Sequence, residues 1–503
     1  MLQEGKLVRW LLLFLGDWRV LLTLFTATVI LYFMMRKTYR LPPGPMRLPI
    51  IGNLHQTYYY SPLYKYCHEL ASTYGPVIRL NFGLVPCIII NRMDNAIEAL
   101  VTKQNDFAGR SKSWTAETFS EGYKDIAGGL FNPTWQLQRK LAHSAFRHFA
   151  SKDVLVQRIH GSFNDVSQVL DKIDEPFDPR SYVYNCVYNI IYAMTYGKSF
   201  SIDDPDFTKM ISSANELNDI VGGGFAPDYI SALKYFPRTT SQKRFMELCD
   251  ELIKRGREEY QHHKDTFTRN DIRDLCDDLI LAHQDMPDEE RDILTETHIV
   301  QTLLDIFGAG TDTTSMTLLW TIKFMMAYTE IQKKGQEEID NVIGQDRLVN
   351  FHDKQNLPYC DAILHEVMRH RLPAPIALPH CATIDTTVGG YDVPKDTMVM
   401  FNLYGLHHDP AYWTEPERFD PTRFLDEHGS IRPKMPSFLP FSAGRRVCVG
   451  ESIAKIDLFV LFACFLQRYS WNEPPGEVTD VEPKISASGM DIKPFRVVIK
   501  NRL

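Results

Sequence analysis

Residues 441–450, which read FSAGRRVCVG, constrain the fold and chemistry of this chain more than any other segment. They set Cys448 between glycines and beside two arginines, and an apolar helical pattern begins directly afterwards. A thiolate needs stabilisation at neutral pH, which arginine charge and the backbone N–H groups of a tight turn and a helix start can supply. These surroundings suit a metal-bound thiolate, whereas a free cysteine considered alone is more often a buried structural residue.

A second constraint lies near the N-terminus, where residues 20–35 (VLLTLFTATVILYFMM) are apolar and uncharged. The stretch is slightly shorter than the ~20 residues that cross a bilayer. Three basic residues and then a Pro-Pro-Gly-Pro segment follow it, where a cleaved signal peptide would have small residues. A core helix is the other alternative. We predict that residues 1–41 form a retained membrane anchor with a basic stop, which leaves the rest of the chain in the cytosol.

Composition narrows the class of the remaining residues, 42–503. The chain is 44% hydrophobic with a net charge of −8, so it has material for a large core and no basic excess for nucleic acid. Its nine scattered cysteines include no Cys-x-x-Cys pair, which argues against a disulfide framework. No linker or repeat divides the sequence. We therefore predict one large domain in a reducing environment and no nucleic-acid partner.

Hydrophobic periodicity predicts a mostly α-helical domain with small peripheral β-sheets. Helical spacing dominates from about residue 94 to residue 345, returns after Gly450, and also marks a helix at 62–74. The predicted strands are residues 49–51, 77–80, 87–90 and, around a hairpin turn at Gly389-Gly390, residues 382–401.

The longest helical pattern, residues 295–328, contains the run AGTDTT. Ala309 and Thr313 are four residues apart in it and share one helix face. A glycine such as Gly310 in mid-helix costs about 1 kcal/mol against alanine, which indicates close approach by another group. The Thr313 hydroxyl can bond back to a carbonyl or help to deliver a proton, with Asp312 as a link to solvent. The alternative is a buried helix whose small residues allow tight packing.

The pattern Phe-x-x-Gly-x-Arg-x-Cys-x-Gly around Cys448 resembles the heme-binding loop of the cytochrome P-450 family. The run AGTDTT resembles the segment with which that family activates oxygen. The resemblance implies the cytochrome P-450 fold for residues 42–503. It also implies heme b (iron protoporphyrin) as the cofactor, with Cys448 as the metal ligand, an axial thiolate that favours O–O cleavage. Further implied roles are a heme contact at Phe441, a proton-delivering hydroxyl at Thr313 and an acidic neighbour at Asp312.

Heme carries two carboxylates, so a buried heme needs cationic and donor partners. Trp135 and Arg139 are similar to the Trp-x-x-x-Arg helix of the family, in which both side chains reach a propionate. Arg446, two residues before the cysteine, is the next candidate. His380 and Arg110 are similar to further heme-contact positions. Without the resemblance, each would be interpreted as an ordinary surface residue.

The pattern Glu-x-x-Arg occurs twice, at Glu366 with Arg369 and at Glu415 with Arg418. A proline inside the second copy makes it a poor helix. In the family, such a pair holds the core near heme together with an arginine from a Phe-x-Pro-x-Arg-Phe segment. The resemblance therefore assigns Glu366, Arg369 and Arg423 to a structural triad. The alternative is a pair of solvated helix charges.

The chain is most similar to the animal microsomal group of the family, which contains steroid 17-alpha-hydroxylase/17,20-lyase and the aryl-hydrocarbon hydroxylases. Residues 124–127 and 135–141 favour the steroid enzyme, whereas residues 220–224 and 385–387 favour the aromatic group, so both substrate classes stay open. Ser442 stands where the family more commonly has glycine. The substrate-wall positions are mostly apolar, which suits a small lipophilic substrate. They are Trp114, Phe119, Ile126, Phe225, Ala309, Ala377, Leu378 and Met490.

The resemblance implies a heme-thiolate monooxygenase that inserts one oxygen atom from O2 into a steroid or a polycyclic aromatic compound. NADPH-cytochrome P-450 reductase is the implied electron donor, cytochrome b5 a second partner, and the endoplasmic reticulum the membrane. A reductase-independent isomerase or dehydratase on the same fold often lacks the helix threonine, so Thr313 argues against it. The pair Asp312 and Thr313 also argues against a non-enzymatic heme sensor. Basic residues that could dock the reductase are Lys140, Arg147, Lys152, Arg445 and Lys455.

Overall fold

The computed structural model describes residues 22–23, 25–26, 38–60, 62–149, 152–485 and 489–502. By its internal contacts the chain divides into two units, Met1–Leu41 and Pro42–Leu503. Most of the predicted anchor stretch lies outside the described residues, so the anchor stays a prediction. Within the described ranges, no helix is both long enough and apolar enough to cross a membrane.

Helices make up most of the larger unit, which confirms the predicted class. Burial of the apolar side chains of these helices supplies about 25 cal/mol for each Å² removed from water. The helices are α1 (Leu54–Tyr59), α2 (Leu63–Tyr74), α3 (Met93–Ile97), α4 (Trp114–Phe119), α5 (Pro133–Phe149), α6 (Lys152–Leu170), α7 (Arg180–Tyr196), α8 (Pro205–Val221), α9 (Ala226–Tyr229), α10 (Thr240–Thr266), α11 (Leu275–Gln284), α12 (Asp288–Ile293), α13 (Glu296–Ala327), α14 (Thr329–Val342), α15 (Pro358–His370), α16 (Leu403–His407) and α17 (Glu451–Arg468).

In the part of the chain that the structure describes, the strands form one five-stranded sheet, in the order β1-β2-β7-β4-β3, and three two-stranded sheets. Strands β1 and β2 are antiparallel, and β2 pairs in parallel with β7, so that Ile88 faces Val399. The strands are β1 (Val77–Phe82), β2 (Val85–Ile90), β3 (Gly109–Arg110), β4 (His380–Cys381), β5 (Thr386–Val388), β6 (Tyr391–Val393), β7 (Met398–Phe401), β8 (Tyr469–Asn472), β9 (Lys484–Ile485), β10 (Met490–Asp491) and β11 (Val498–Asn501).

One turn prediction and one strand prediction had different outcomes. Gly389 and Gly390 connect β5 to β6 as predicted, and their φ angles of 57° and 78° suit glycine. The predicted strand at 49–51 is wrong. Those residues form a turn closed by mutual hydrogen bonds between Leu48 and Gly52, with Ile50 at a φ of 67°. The apolar run has the composition of a strand, but its centre has a left-handed backbone that no strand adopts.

Helix α13 passes through the main hydrophobic core. Thr295 caps its start, as predicted, and 32 residues give a length of ~48 Å at 1.5 Å per residue. Core residues such as Leu303, Trp320 and Phe324 are at most 1% exposed. The helix packs against α7 on one side and α17, which follows the cysteine loop, on another. A long buried helix of this kind holds its central residues in a fixed position between two others.

The Glu366 triad forms as predicted. Arg369 donates from Nε and Nη2 to the two carboxylate oxygens of Glu366 at 2.7 and 2.9 Å, and Arg423 Nε donates to the same carboxylate at 3.2 Å. Glu366 and Arg369 have no exposed surface. The second copy of the pattern, Glu415 with Arg418, is a surface pair whose side chains are 66% and 64% exposed.

Candidate active site

The cysteine loop is built from unusual backbone conformations. Gly444 has a φ of 73°, and a Cβ there would lie 1.7 Å from the carbonyl oxygen of Leu100, so only glycine fits. Ser442 has a φ of 61°, which explains structurally why glycine is the commoner residue at its position. The backbone N–H of Cys448 donates to the carbonyl of Phe441 at 3.0 Å and closes the loop.

Cys448 differs from every other cysteine in the chain. The other eight are buried, whereas the Cys448 side chain is exposed. Burial by the surrounding chain raises the pKa of its thiol, while N–H groups of Gly450 and Glu451 and the charge of Arg139 lower it. The charge of Glu451 acts in the raising direction. The sulfur therefore has donors for a thiolate that gains a cationic partner.

Arg446 is buried without a carboxylate partner. Its Nε donates to the carbonyl of Ala108 at 2.8 Å, Nη2 to that of Gly129 at 2.7 Å, and Nη1 to that of Ile126 at 3.3 Å. Its guanidinium carbon lies 3.8 Å from the ring centre of Trp135. Burial first, and then the charges of the neighbouring arginines, lower the pKa of Arg446 to about 8. Among the described residues no ion pair joins Arg446 to a carboxylate, although the charge of the buried Asp125 acts on it and raises its pKa.

Arg110 and Arg139 complete what we call the arginine set, with Arg446. Arg139 donates to the carbonyl of Val447, next to the cysteine, and lies 5.5 Å from the Trp135 ring centre. Arg110 donates to the carbonyl of Ala127 at 2.8 Å. Burial lowers the pKa of both guanidinium groups. Across the described residues, none of the three arginines forms an ion pair with a carboxylate.

His380 and Trp135 lie beside this set. His380 is 3% exposed, and its Nδ1 bonds to the carbonyl of Phe107 at 2.7 Å. Burial and the charge of Arg110 lower the pKa of His380 well below its usual range, so the ring is neutral. Trp135 donates from its indole N–H to the carbonyl of Ile126 at 2.9 Å. The structure thus brings the three predicted propionate contacts and the two further predicted heme contacts into one neighbourhood.

One face of α13 is open although the helix crosses the core. Gly308, Ala309 and Thr313 are exposed, whereas Thr311 and Thr314 on the other faces are buried. Thr313 Oγ1 donates to the carbonyl of Ala309 at 2.8 Å, the predicted back-bond. A side-chain carbon added at Gly310 would make only ordinary contact with Ile191 at 3.6 Å, so the expected close approach at that glycine is absent.

Asp312 occupies a different environment from its neighbour Thr313. It accepts hydrogen bonds from the Tyr184 hydroxyl at 2.8 Å and from the Asn218 amide at 3.4 Å. Burial raises the pKa of Asp312, while the Tyr184 hydrogen bond lowers it. The expected acidic neighbour of the open face is therefore held by two helices other than its own.

Residues 42–499 match the family model described as "Cytochrome P450". The chain belongs to the cytochrome P450 family. It is 34% identical to a steroid 17-alpha-hydroxylase/17,20 lyase of Ictalurus punctatus, over 92% of each chain. It is 32% identical to a cytochrome P450 1A1 of Chelon auratus, over 88% of this chain and 87% of that one. A zebra fish cytochrome P450 solved with progesterone aligns with a TM-score of 0.80 at 32% identity, covering 88% of this chain and 100% of that one.

As a cytochrome P450, the chain is an oxidoreductase that binds heme through a cysteine thiolate. The site in this P450 fits such a group. Three cations without a carboxylate partner suit the two propionates of heme, because a buried charge is costly until it is paired. One exposed cysteine stands beside them, and one face of an otherwise buried helix is open. These hydrogen-bond donors and this open surface suit heme, which is a planar molecule with two carboxylates and a central metal.

The apolar wall positions of this P450 differ widely in burial. Trp114 contacts Phe225 edge-on at 5.3 Å between ring centres, which joins α4 to the loop before α9 as ordinary packing. Leu378, ahead of β4, is 56% exposed. The remaining positions are buried (Ile126, Ala377, Met490), partly buried (Phe119) or on the open face of α13 (Ala309).

Three site residues escaped prediction from the sequence: Asp125, Tyr184 and Asn218. Asp125 is buried and raises the pKa of Arg110 and Arg446, although its Oδ2 accepts a hydrogen bond from the Gly128 N–H. The available signal for Tyr184 was a tyrosine at every fourth position of α7. That stripe indicates a packed helix face and does not reveal which hydroxyl has a partner on α13.

Proposed function

We propose that this protein is a membrane-anchored monooxygenase that inserts one oxygen atom from O2 into a lipophilic substrate, a steroid or a polycyclic aromatic compound. The observation that carries the proposal is the arginine set without carboxylates beside the one exposed cysteine. Arg446 is buried and Arg110 and Arg139 are partly buried, and none of them forms an ion pair with a carboxylate among the described residues. Such an arrangement costs stability unless an anionic ligand completes the site.

In this proposal Cys448 would ligate the heme iron, and the residues that would hold the rest of the cofactor are Arg110, Trp135, Arg139, His380, Phe441 and Arg446. Heme supplies the binding and reduction of O2 when it is bound. The chain contributes position and charge: Arg139 and Arg446 offer N–H groups for carboxylates, and the loop N–H groups stabilise the sulfur.

Thr313 and Asp312 form the proton-handling part of the proposal. The Thr313 hydroxyl lies on the open face of α13 and can rotate from the Ala309 carbonyl toward a ligand on that face. Asp312 adjoins it and has a pKa raised by burial, which keeps a proton available closer to neutral pH. Together they would provide a proton donor and a proton-transfer group at the open face of α13.

The substrate class is supported by two observations. The wall positions are apolar, which suits a lipophilic molecule. The relatives of the chain include proteins named for steroid hydroxylation and a cytochrome P450 1A1, and a similar structure was solved with progesterone. Optical binding titrations with a panel of steroids and of polycyclic aromatics, run side by side, will separate the two classes.

Electrons are proposed to come from NADPH through a membrane-bound flavoprotein reductase, with cytochrome b5 as a second donor, at the endoplasmic reticulum. Lys140 and Arg147 are exposed on α5 and are free to dock an acidic partner surface. Lys455 is already paired with Glu451 at 2.6 Å, and Arg445 donates to Asn105. Substituting Lys140 and Arg147 with glutamate is expected to slow reduction by the reductase, most strongly at low salt.

The central experiment combines ligation with turnover. Reduced protein with carbon monoxide should show the red-shifted band of a thiolate-ligated heme, and Cys448→Ala should lose it while Cys381→Ala, at a buried cysteine, retains it. O2 uptake that requires both NADPH and reductase would exclude the isomerase and the sensor. Retention of the band in Cys448→Ala would refute the ligand assignment.

The role of Thr313 has its own test. Thr313→Ala, with heme content unchanged, is expected to lower the amount of product formed per O2 consumed. Thr311→Ala is the matched control, because Thr311 makes the same back-bond, at 2.7 Å to Phe307, on a buried face. Equal coupling in the two variants would contradict the proton-delivery role.

A further inference from the structure

Asp312 is held by residues from outside its own helix, and one of these contacts is strong. Tyr184, in the middle of α7, is 7% exposed and donates its hydroxyl to Asp312 Oδ1 at 2.8 Å. A hydrogen bond from a buried phenol to a carboxylate is charge-assisted, and it is stronger than one between neutral groups. The bond therefore favours the ionised form of Asp312 and fixes the direction of its carboxylate.

Groups from three other elements face the same carboxylate. Asn218 of α8 donates to Oδ2 at 3.4 Å, and Asp491 of β10 repels the ionised form. The charge of Asp312 raises the pKa of Tyr188, one turn along α7. The charge of Arg180, at the start of α7, lowers the pKa of Tyr184. Tyr184 and Asp491 thus act on Asp312 in opposite directions.

We propose that Tyr184 is a positioning residue for Asp312: its hydroxyl holds the carboxylate in one orientation and stabilises its ionised form. The inference rests on the proposed function of Asp312 as the acidic neighbour of Thr313. Tyr184 does not touch substrate or cofactor in this role and acts only through Asp312.

The proton step is balanced as follows. The O–H bond of protonated Asp312 breaks, its proton bonds to the Thr313 hydroxyl oxygen, and the electron pair of the broken bond stays on the carboxylate. The Thr313 hydroxyl releases its own proton to a ligand on the open face of α13, so that it ends with one proton as it began. The Tyr184 hydrogen bond stabilises that negative charge. Asn218, which is exposed, connects the carboxylate to solvent, from which Asp312 regains a proton.

The test is a pH titration of the Asp312 carboxyl in the heme-loaded full chain. Its carbonyl stretch in infrared spectra is isolated by subtracting the spectrum of Asp312→Asn. We expect Tyr184→Phe to move the midpoint to higher pH and Asp491→Asn to move it to lower pH. Tyr188→Phe, which removes a phenol from the same helix without a hydrogen bond to Asp312, is expected to leave it unchanged.

Opposite shifts support the proposal, and the pH optimum of product formed per O2 should follow them. An unchanged midpoint in Tyr184→Phe, or a shift of the same sign in Asp491→Asn, overturns it. The carbon monoxide band of each variant reports separately on the thiolate. Loss of that band in the unsubstituted protein would remove the proposed function, whereas the carboxyl titration still decides the role of Tyr184.

Discussion

Two buried arginine sites in this molecule differ in whether a carboxylate of the chain pairs with the arginine charge. Arg369 is fully buried and is matched by both oxygens of Glu366 at 2.7 and 2.9 Å, with Arg423 on the same carboxylate. Arg446 is 6% exposed and is matched by three backbone carbonyls. Carbonyls satisfy the N–H groups of a guanidinium but leave its charge uncompensated.

The difference separates a structural role from a binding role. The charges of the Glu366 triad are paired within the chain, so the triad stabilises the fold and needs no ligand. The arginine set has donors and charge to offer, so it is completed by a ligand with carboxylates. Buried charge without an internal partner is therefore the better indicator of the cofactor site in this protein than burial or residue type alone.

The largest predicted effect is on the complete site. Glu366→Ala leaves two arginine charges buried without a partner and should cost about 3–5 kcal/mol of unfolding free energy, or prevent folding. Urea unfolding of the protein without and with heme measures the loss. Glu415→Ala, in the exposed copy of the same pattern, should change stability by less than about 0.5 kcal/mol. Equal effects in both variants would abolish the distinction.

A third buried ionisable group, the Asp457 carboxyl, differs from both arginine sites. Asp457 in α17 is 1% exposed, and neither of its carboxylate oxygens has a hydrogen-bond partner. Burial raises its pKa to about 8, so the folded protein holds a proton that the unfolded chain releases above about pH 4. Its contribution to stability is therefore fully present below about pH 4 and is lost as pH rises through about 8.

Asp457→Asn removes this titration because the amide is neutral at every pH. Relative to the unsubstituted protein, the variant should gain about 2 kcal/mol of unfolding free energy between pH 6 and pH 8, at ~1.4 kcal/mol per unit below the midpoint. Urea unfolding at several pH values measures it. Asp174→Asn, at an exposed carboxylate, is the control and should show no such gain. Parallel pH profiles for Asp457→Asn and the parent would mean that the carboxyl is not held neutral.

Substitutions in the arginine set should change heme binding more than the unfolding free energy. Arg139→Ala removes one cation and is expected to speed heme loss about tenfold, equivalent to ~1.4 kcal/mol. Transfer of heme to an acceptor apoprotein measures that rate. The reverse pattern is expected for Arg423→Ala, which should lower the unfolding free energy and leave the rate of heme loss unchanged. If both variants changed the same quantity, the two sites would have one role.

Sequence patterns predicted these sites unevenly. The helix and strand classes, the α13 cap and the Glu366 triad followed from periodicity and from a family resemblance that specific motifs carried. The pattern Glu-x-x-Arg could not by itself distinguish the buried copy from the exposed one, because burial depends on what packs against the helix. Tyr184 was out of reach for the same reason, since its partner Asp312 lies on another helix. The strand predicted around Ile50 failed because composition does not report a positive φ.

The smallest predicted effect concerns backbone strain in the cysteine loop, and whether that strain affects the unfolding free energy or the rate of heme loss. Ser442 has a φ of 61°, and its hydroxyl is buried without a partner. Ser442→Gly removes both costs and should raise the unfolding free energy by about 1 kcal/mol. Because the side chain offers nothing to the cofactor in this arrangement, heme loss should keep its rate. Faster heme loss in Ser442→Gly would instead mean that the Ser442 hydroxyl, like the arginine set, donates a hydrogen bond to the bound cofactor.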